Sequence, residues 1–183
     1  MSRLEMLTPE TMTPEQRKVH DDIVSGPRGK MTLPMNAWLR SPAFADGAQK
    51  LGAFVRFDCS LEPRHIELTI LITVRQWVAQ PAWYSHVQHA KKAGLDDAIV
   101  EAIADRKRPT FKKADEEALY DLCTELWETR EASDKTYAAA VKHFGEKGVM
   151  EIIGLSGYYT ITGLTLKTFN VPMQEGVEPP LKD

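Results

Sequence analysis

Cysteine is the scarcest chemistry in this 183-residue chain: there are two, Cys59 and Cys123, in no CxxC pair and in no metal-finger spacing. The count excludes a disulfide framework and the spacing excludes a cysteine-based zinc site. Two isolated thiols fit a reducing, cytoplasmic setting. Basic charge is not in excess either, with 23 Lys and Arg against 26 Asp and Glu and a net charge of −3. That balance excludes the electrostatic footprint of a nucleic-acid-binding protein and a polybasic membrane anchor. Long apolar runs are missing: Ile70-Leu71-Ile72 with Val74 is cut by Arg75, well short of the ~20 residues of a membrane span. The N-terminus turns polar at Thr8-Pro9-Glu10, so no signal peptide is expected. Neither a dinucleotide glycine fingerprint nor a haem-attachment cysteine motif is present, and no organic cofactor is expected. Gly26-Pro27-Arg28-Gly29-Lys30 has only a superficial likeness to a phosphate loop; it lacks the first-glycine spacing, the hydroxyl residue after Lys30 and a preceding strand. Sustained alternation of apolar and polar residues is also absent, which leaves an all-α fold.

What the sequence does contain is helix punctuation. The composition, 43% hydrophobic and 27% charged, is that of a soluble globule, and the length suits one domain over 1–183. Thr13-Pro14-Glu15-Gln16 combines an N-cap, a proline at the first helical position and a capping-box glutamine, and the helix it starts should stop at Gly26-Pro27. Residues 26–40 read as an irregular connection, long enough to be functional; with the first helix they make an N-terminal extension over 1–40. Ser41-Pro42 opens a second helix to about Phe57, Glu62-Pro63 a third to about Ala79, and Pro81 a fourth ending at Ala93-Gly94. A fifth runs from Leu95-Asp96 to before Pro109, a sixth from about Ala114 to Arg130, a seventh from Ser133 to Phe144-Gly145, and an eighth from about Lys147 to Phe169. The third, fourth and eighth are the most apolar and should form the centre. The eighth carries Gly154, Gly157 and Gly163; each costs up to ~1 kcal/mol relative to Ala, a cost that close approach of another helix or subunit would offset. The tail, about 172–183, should be extended.

Two polar residues stand out on those central helices. Glu67 leads an apolar stripe of Ile70, Leu71, Val74 and Val78 at helical spacing. A carboxylate buried there would be poised for proton transfer; the alternative is a residue near a helix start, where negative charge is favourable anyway. His86 shares the fourth helix with Ala79, Ala82, Trp83 and Ala90, a setting for a proton shuttle or for a satisfied core histidine. His89 follows at i+3, and two histidines at that spacing with one distant glutamate form no metal motif, so no metal is expected. The aromatics Trp77, Trp83, Tyr84, Tyr158 and Tyr159 read as core or interface.

The run from Leu61 to Leu71 (Leu-Glu-Pro-Arg-His-Ile-Glu-Leu-Thr-Ile-Leu) resembles the L-x-x-R-x-x-E-L-x-I-L segment of the carboxymuconolactone decarboxylase family. The run Trp83 to Ala90 with Ala93-Gly94-Leu95 resembles its W-x-x-H-x-x-x-A-x-x-x-G-L helix. Gly157-Tyr158-Tyr159-Thr160 and Pro179-Pro180-Leu181 are similar to longer members, so the likeness extends from about Ser41 to the C-terminus. The resemblance implies the alkyl-hydroperoxidase-D-like (AhpD-like) helical fold. It also implies a homotrimer or homohexamer joined through central helices, and a cofactor-free lyase acting on a small cyclic, lactone-type acid in aromatic-compound catabolism. Glu67 and His86 fall on the catalytic positions, Trp83, Arg64, Arg75 and Tyr158 on candidate substrate contacts, with Arg40 a further candidate cation. The redox members of the superfamily carry a CxxC pair at the positions of Ala79 and Ala82; without those thiols, a hydroperoxidase-type antioxidant role is disfavoured. Tyr84 and Ala82 also stand where acidic residues are frequent in the family. A non-catalytic binding homologue is the remaining alternative.

Overall fold

The computed structural model describes residues 2–182; Met1 and the last residue of the expected tail, Asp183, lie outside them. Among the described residues there are eight α-helices and no strand. The helices are α1 (Pro14–Ser25), α2 (Leu33–Trp38), α3 (Pro42–Ala53), α4 (Pro63–Gln76), α5 (Gln80–Lys92), α6 (Asp97–Ala104), α7 (Ala114–Thr129) and α8 (Asp134–Thr168). The Thr13 capping box forms as its sequence dictates, with Gln16 N–H donating to the Thr13 hydroxyl and Thr13 N–H to Gln16 Oε1.

Helix α4 is the axis of the fold. Every residue from His65 to Arg75 is buried, and α5, α6, α7 and α8 pack around it. A helix buried on all sides has to satisfy its own polar atoms. Thr69 and Thr73 donate to the carbonyls of His65 and Thr69 one turn back, each at 2.8 Å. His65 and Arg64 meet the α7 carboxylates: Arg64 reaches Asp115 at 2.5 Å and Glu116 at 2.9 Å, and His65 Nε2 lies 3.1 Å from Asp115. These contacts tie the start of α4 to the first turn of α7.

The expected seventh and eighth helices meet at Gly145, whose φ of 64° and ψ of 172° break the helical geometry, so α8 is two helical segments joined by a kink at the predicted junction. Of Gly154, Gly157 and Gly163, Gly163 has a close neighbour: a Cβ there would sit 2.6 Å from Cγ of Trp77, itself stacked edge-on against Trp127 at 5.7 Å. The same construction places no atom within 4 Å at Gly157, which lies on an exposed stripe with Met150, Ile153 and Leu164. Gly163→Ala is expected to lower stability by about 1–3 kcal/mol through overpacking, while Gly157→Ala should be neutral or stabilising. Urea denaturation of the two variants checks this.

One expectation is corrected. The 26–40 segment is not wholly irregular, because Leu33–Trp38 forms a helix that buries Met35, Ala37 and Trp38. Six residues are too few for periodicity to reveal; tertiary burial makes this helix. The tail has no helix or strand among the described residues and its end packs onto the fold. Leu181 is buried, and its N–H and C=O pair with the side-chain amide of Gln80 at 2.9 and 2.8 Å. Helix α3 also turns differently from its apolar pattern: Phe44 and Leu51 are exposed while Ala45, Ala48 and Gly52 face inward. Tyr158 explains the choice, since a Cβ on Gly52 would lie 2.4 Å from its ring.

Candidate active site

The expected pair meets. Glu67 on α4 and His86 on α5 converge with His86 Nδ1 2.7 Å from Glu67 Oε2, both side chains at most about a tenth exposed. Two further residues complete a chain. Arg56 Nη1 donates to Glu67 Oε1 at 2.7 Å, and the Tyr159 hydroxyl on α8 lies 3.1 Å from His86 Nε2. The tyrosine ring stands edge-on to the imidazole at 5.0 Å.

Arg56 owes its place to a local irregularity. After α3 the chain widens into one π turn, Phe54–Asp58, closed by Cys59 N–H donating to Phe54 O at 3.0 Å. Such turns re-aim side chains and concentrate at functional sites; here Val55 goes to the core and Arg56 to Glu67. Nothing in the apolar spacing signals the extra residue. Tyr159 carried a signal, as one of two adjacent aromatics on an apolar helix, but its pairing with His86 depends on how α8 lies against α5.

The electrostatics follow from burial and pairing. Burial alone would raise the Glu67 carboxyl, yet the hydrogen bond from His86 and the charge of Arg56 outweigh it and leave Glu67 below the usual carboxylate range. Burial dominates at His86 and pushes it below the ordinary histidine value despite Glu67. Tyr159 is pushed well above the usual phenol range, again by burial. The resting state is therefore an ionised Arg56–Glu67 pair, a neutral imidazole whose Nδ1–H donates to Glu67, and a neutral phenol donating to Nε2. Only His86 Nε2 can take up a proton, and Glu67 stabilises the imidazolium that results.

His86, Tyr158, Tyr159 and Ala82 line a cavity of about 610 Å³, within the range of small-molecule sites. Part of its lining comes from the 26–40 segment, including Arg28 and Met31. Trp83 is buried and does not line the cavity, whereas Tyr158 does. Arg64 and Arg75 do not reach it: Arg64 is held by α7 carboxylates, and Arg75 donates to Ala104 O and Lys182 O at 2.9 and 2.8 Å. Arg40 donates to the carbonyls of Asn36 and Glu5. Neither cysteine lies on the cavity. Burial raises the Cys59 thiol above its usual range, with Sγ donating to Val55 O, and pushes the fully enclosed Cys123 up to about 12.

A helical bundle with a buried carboxylate–imidazole pair at the wall of a cavity is a scaffold for moving protons out of contact with bulk water. Solved structures share the helical fold. A protein of unknown function from Agrobacterium tumefaciens, provisionally placed as the antioxidant defence protein AhpD, is 20% identical over 78% of this chain and 97% of its own, with a TM-score of 0.67. An uncharacterized peroxidase-related protein with an alkylhydroperoxidase AhpD core, from Ralstonia eutropha JMP134, is 11% identical over 95% of this chain and 93% of its own, TM-score 0.75. An uncharacterized peroxidase-related protein from Silicibacter sp. TM1040 is 11% identical over 95% and 92%, TM-score 0.74. The fold is the AhpD-like helical fold. No family model matches the sequence, and no curated protein sequence matches it. No helix among the described residues is long and apolar enough to cross a membrane.

Proposed function

We propose that the chain is a cofactor-independent acid–base enzyme that decarboxylates, or otherwise transfers a proton on, a small cyclic carboxylic acid of the carboxymuconolactone type. The observation that carries this reading is the Arg56–Glu67–His86–Tyr159 chain, whose His86 and Tyr159 line a cavity that neither cysteine reaches. In decarboxylation the C–COO⁻ bond breaks, its electron pair passes into the adjacent conjugated carbonyl, and CO₂ leaves. His86, neutral at rest, takes up a solvent proton at Nε2, and the enolate carbon then takes that proton, which returns the imidazole to its neutral form. Glu67 holds the ring and supports its positive charge; Tyr159 fixes the direction of Nε2.

The competing reading, thiol-dependent peroxide reduction, is favoured by the names of the similar structures. A low-pKa, accessible thiolate is what such chemistry needs, and burial raises both thiols of this chain. The test is direct. The protein should release CO₂ from carboxymuconolactone and should not consume hydrogen peroxide with dithiothreitol above the uncatalysed rate. Peroxide turnover that disappears in a Cys59→Ser, Cys123→Ser double variant would reverse the assignment.

The protein is also proposed to assemble with itself through the exposed stripe of α8, where Met150, Ile153 and Leu164 are 61%, 42% and 44% exposed. Met150→Glu with Ile153→Glu should lower the mass measured by light scattering to that of one chain; a wild-type protein already at one-chain mass would end this part of the proposal.

A further inference from the structure

Beside His86, Arg56 and Glu67 pair with each other; the lining of the cavity carries a different balance. The wall includes Arg28, Lys30 and His20 but no Asp or Glu side chain among the described residues. Arg28 is the cation fixed in place. It sits in a turn in which Gly29 N–H donates to Gly26 O at 3.1 Å, with Pro27 setting the first bend and Gly29 in the left-handed region at φ 67°. Its guanidinium lies 5.7 Å from the centre of the Phe57 ring. Its Nη2 is shut off from solvent and has no hydrogen-bond partner. The charge is felt by both cavity phenols, Tyr158 and Tyr159, where it opposes the effect of burial.

A guanidinium that lines a cavity and pairs with no carboxylate among the described residues leaves its charge for whatever enters that cavity. Arg56, Arg64 and Arg108 each hold a carboxylate; Arg28 faces a cavity instead. We infer that Arg28 is the specificity-determining anion anchor of this site, holding the carboxylate of a small organic acid in the cavity that His86 lines. A guanidinium clamped on the carboxylate that leaves would stabilise the ground state and slow its loss. The group held by Arg28 is therefore one that the product retains. This deepens the acid–base reading and rests on it only for the reacting end of the ligand, since anion binding needs no turnover.

Benzoate and its neutral counterpart benzamide are suitable probes for calorimetric titration of the full chain at pH 7.5. Wild type should bind benzoate about tenfold or more tightly than benzamide, as expected for a charge-assisted hydrogen bond. Arg28→Gln should remove that preference and leave benzamide binding and Tm unchanged. Arg28→Lys, which keeps the charge but not the fork, should retain part of it. Lys30→Gln, at an exposed position, should change it less than threefold. A benzoate preference that survives in Arg28→Gln, or a wild type that binds neither probe at millimolar concentration or does not distinguish them, overturns the inference. Intact preference without turnover of any lactone acid would remove the proposed reaction and leave the anchor standing.

Discussion

His86→Ala should cost at least a hundredfold in kcat/KM on carboxymuconolactone, in the range of 10²–10⁴ typical for loss of a positioned acid–base group. Tm should fall far less in proportion, because the side chain removed is neutral at rest. Glu67→Gln keeps the shape and can still accept from Nδ1–H, but it no longer stabilises the imidazolium. A loss of about 10–100-fold is expected, with the effect in kcat rather than KM. The pair also leaves a mark on stability. The folded-state pKa of His86 lies below its ordinary value, so on lowering the pH the unfolded chain takes up its proton first. Stability is then fully present above the unfolded value and is lost as pH falls through the window down to the folded one. Wild type should lose more stability than His86→Gln between pH 7.5 and 5.5. Equal losses, measured by urea denaturation at the two pH values, would contradict a buried neutral imidazole.

The second large effect belongs to Arg56. Arg56→Met removes the cation from a pair whose side chains are 12% and 6% exposed, and strands a buried carboxylate. Breaking such a pair from one side costs about 3–5 kcal/mol. In a Glu67→Gln background the same substitution should cost much less, because no charge is left uncompensated, and a double-mutant cycle isolates that coupling. The cost should also shrink at lower pH. Without Arg56, the Glu67–His86 pair binds a proton more readily when folded, so the variant gains on wild type as pH falls from 8 to 5.5. A cost that is the same at both pH values and unaffected by Glu67→Gln would show that Arg56 acts through packing alone.

The two halves of this site were legible to different degrees. The helix order, the Thr13 cap and the Gly145 junction followed from local chemistry, and the Glu67–His86 pairing from residue type and family likeness together. Arg56 was not legible, because a π turn shifts the register by one residue without any change in composition. Arg28 sits in a segment whose glycines and proline mark it as a turn, and nothing in that pattern distinguishes the arginine from the neighbouring Lys30. The short helix after it is made by burial of Met35 and Trp38, an outcome of packing that no six-residue pattern records. Arg64 and Arg75 were attractive as cations near the motif, yet their partners come from α7, the α6 terminus and the tail, far away in sequence. The cysteine count was informative in the end for its placement: Ala82 lines the cavity, and the two thiols the chain does have are elsewhere.

The central claim is that His86 delivers a proton to carbon in a thiol-free cavity. Incubating the protein with carboxymuconolactone in deuterated water and following the product by NMR tests it most directly. One deuterium should enter the product carbon for each CO₂ released, with the rate falling at least a hundredfold in His86→Ala. Release of CO₂ at an unchanged rate by His86→Ala, or no release by wild type above the uncatalysed rate, would contradict it.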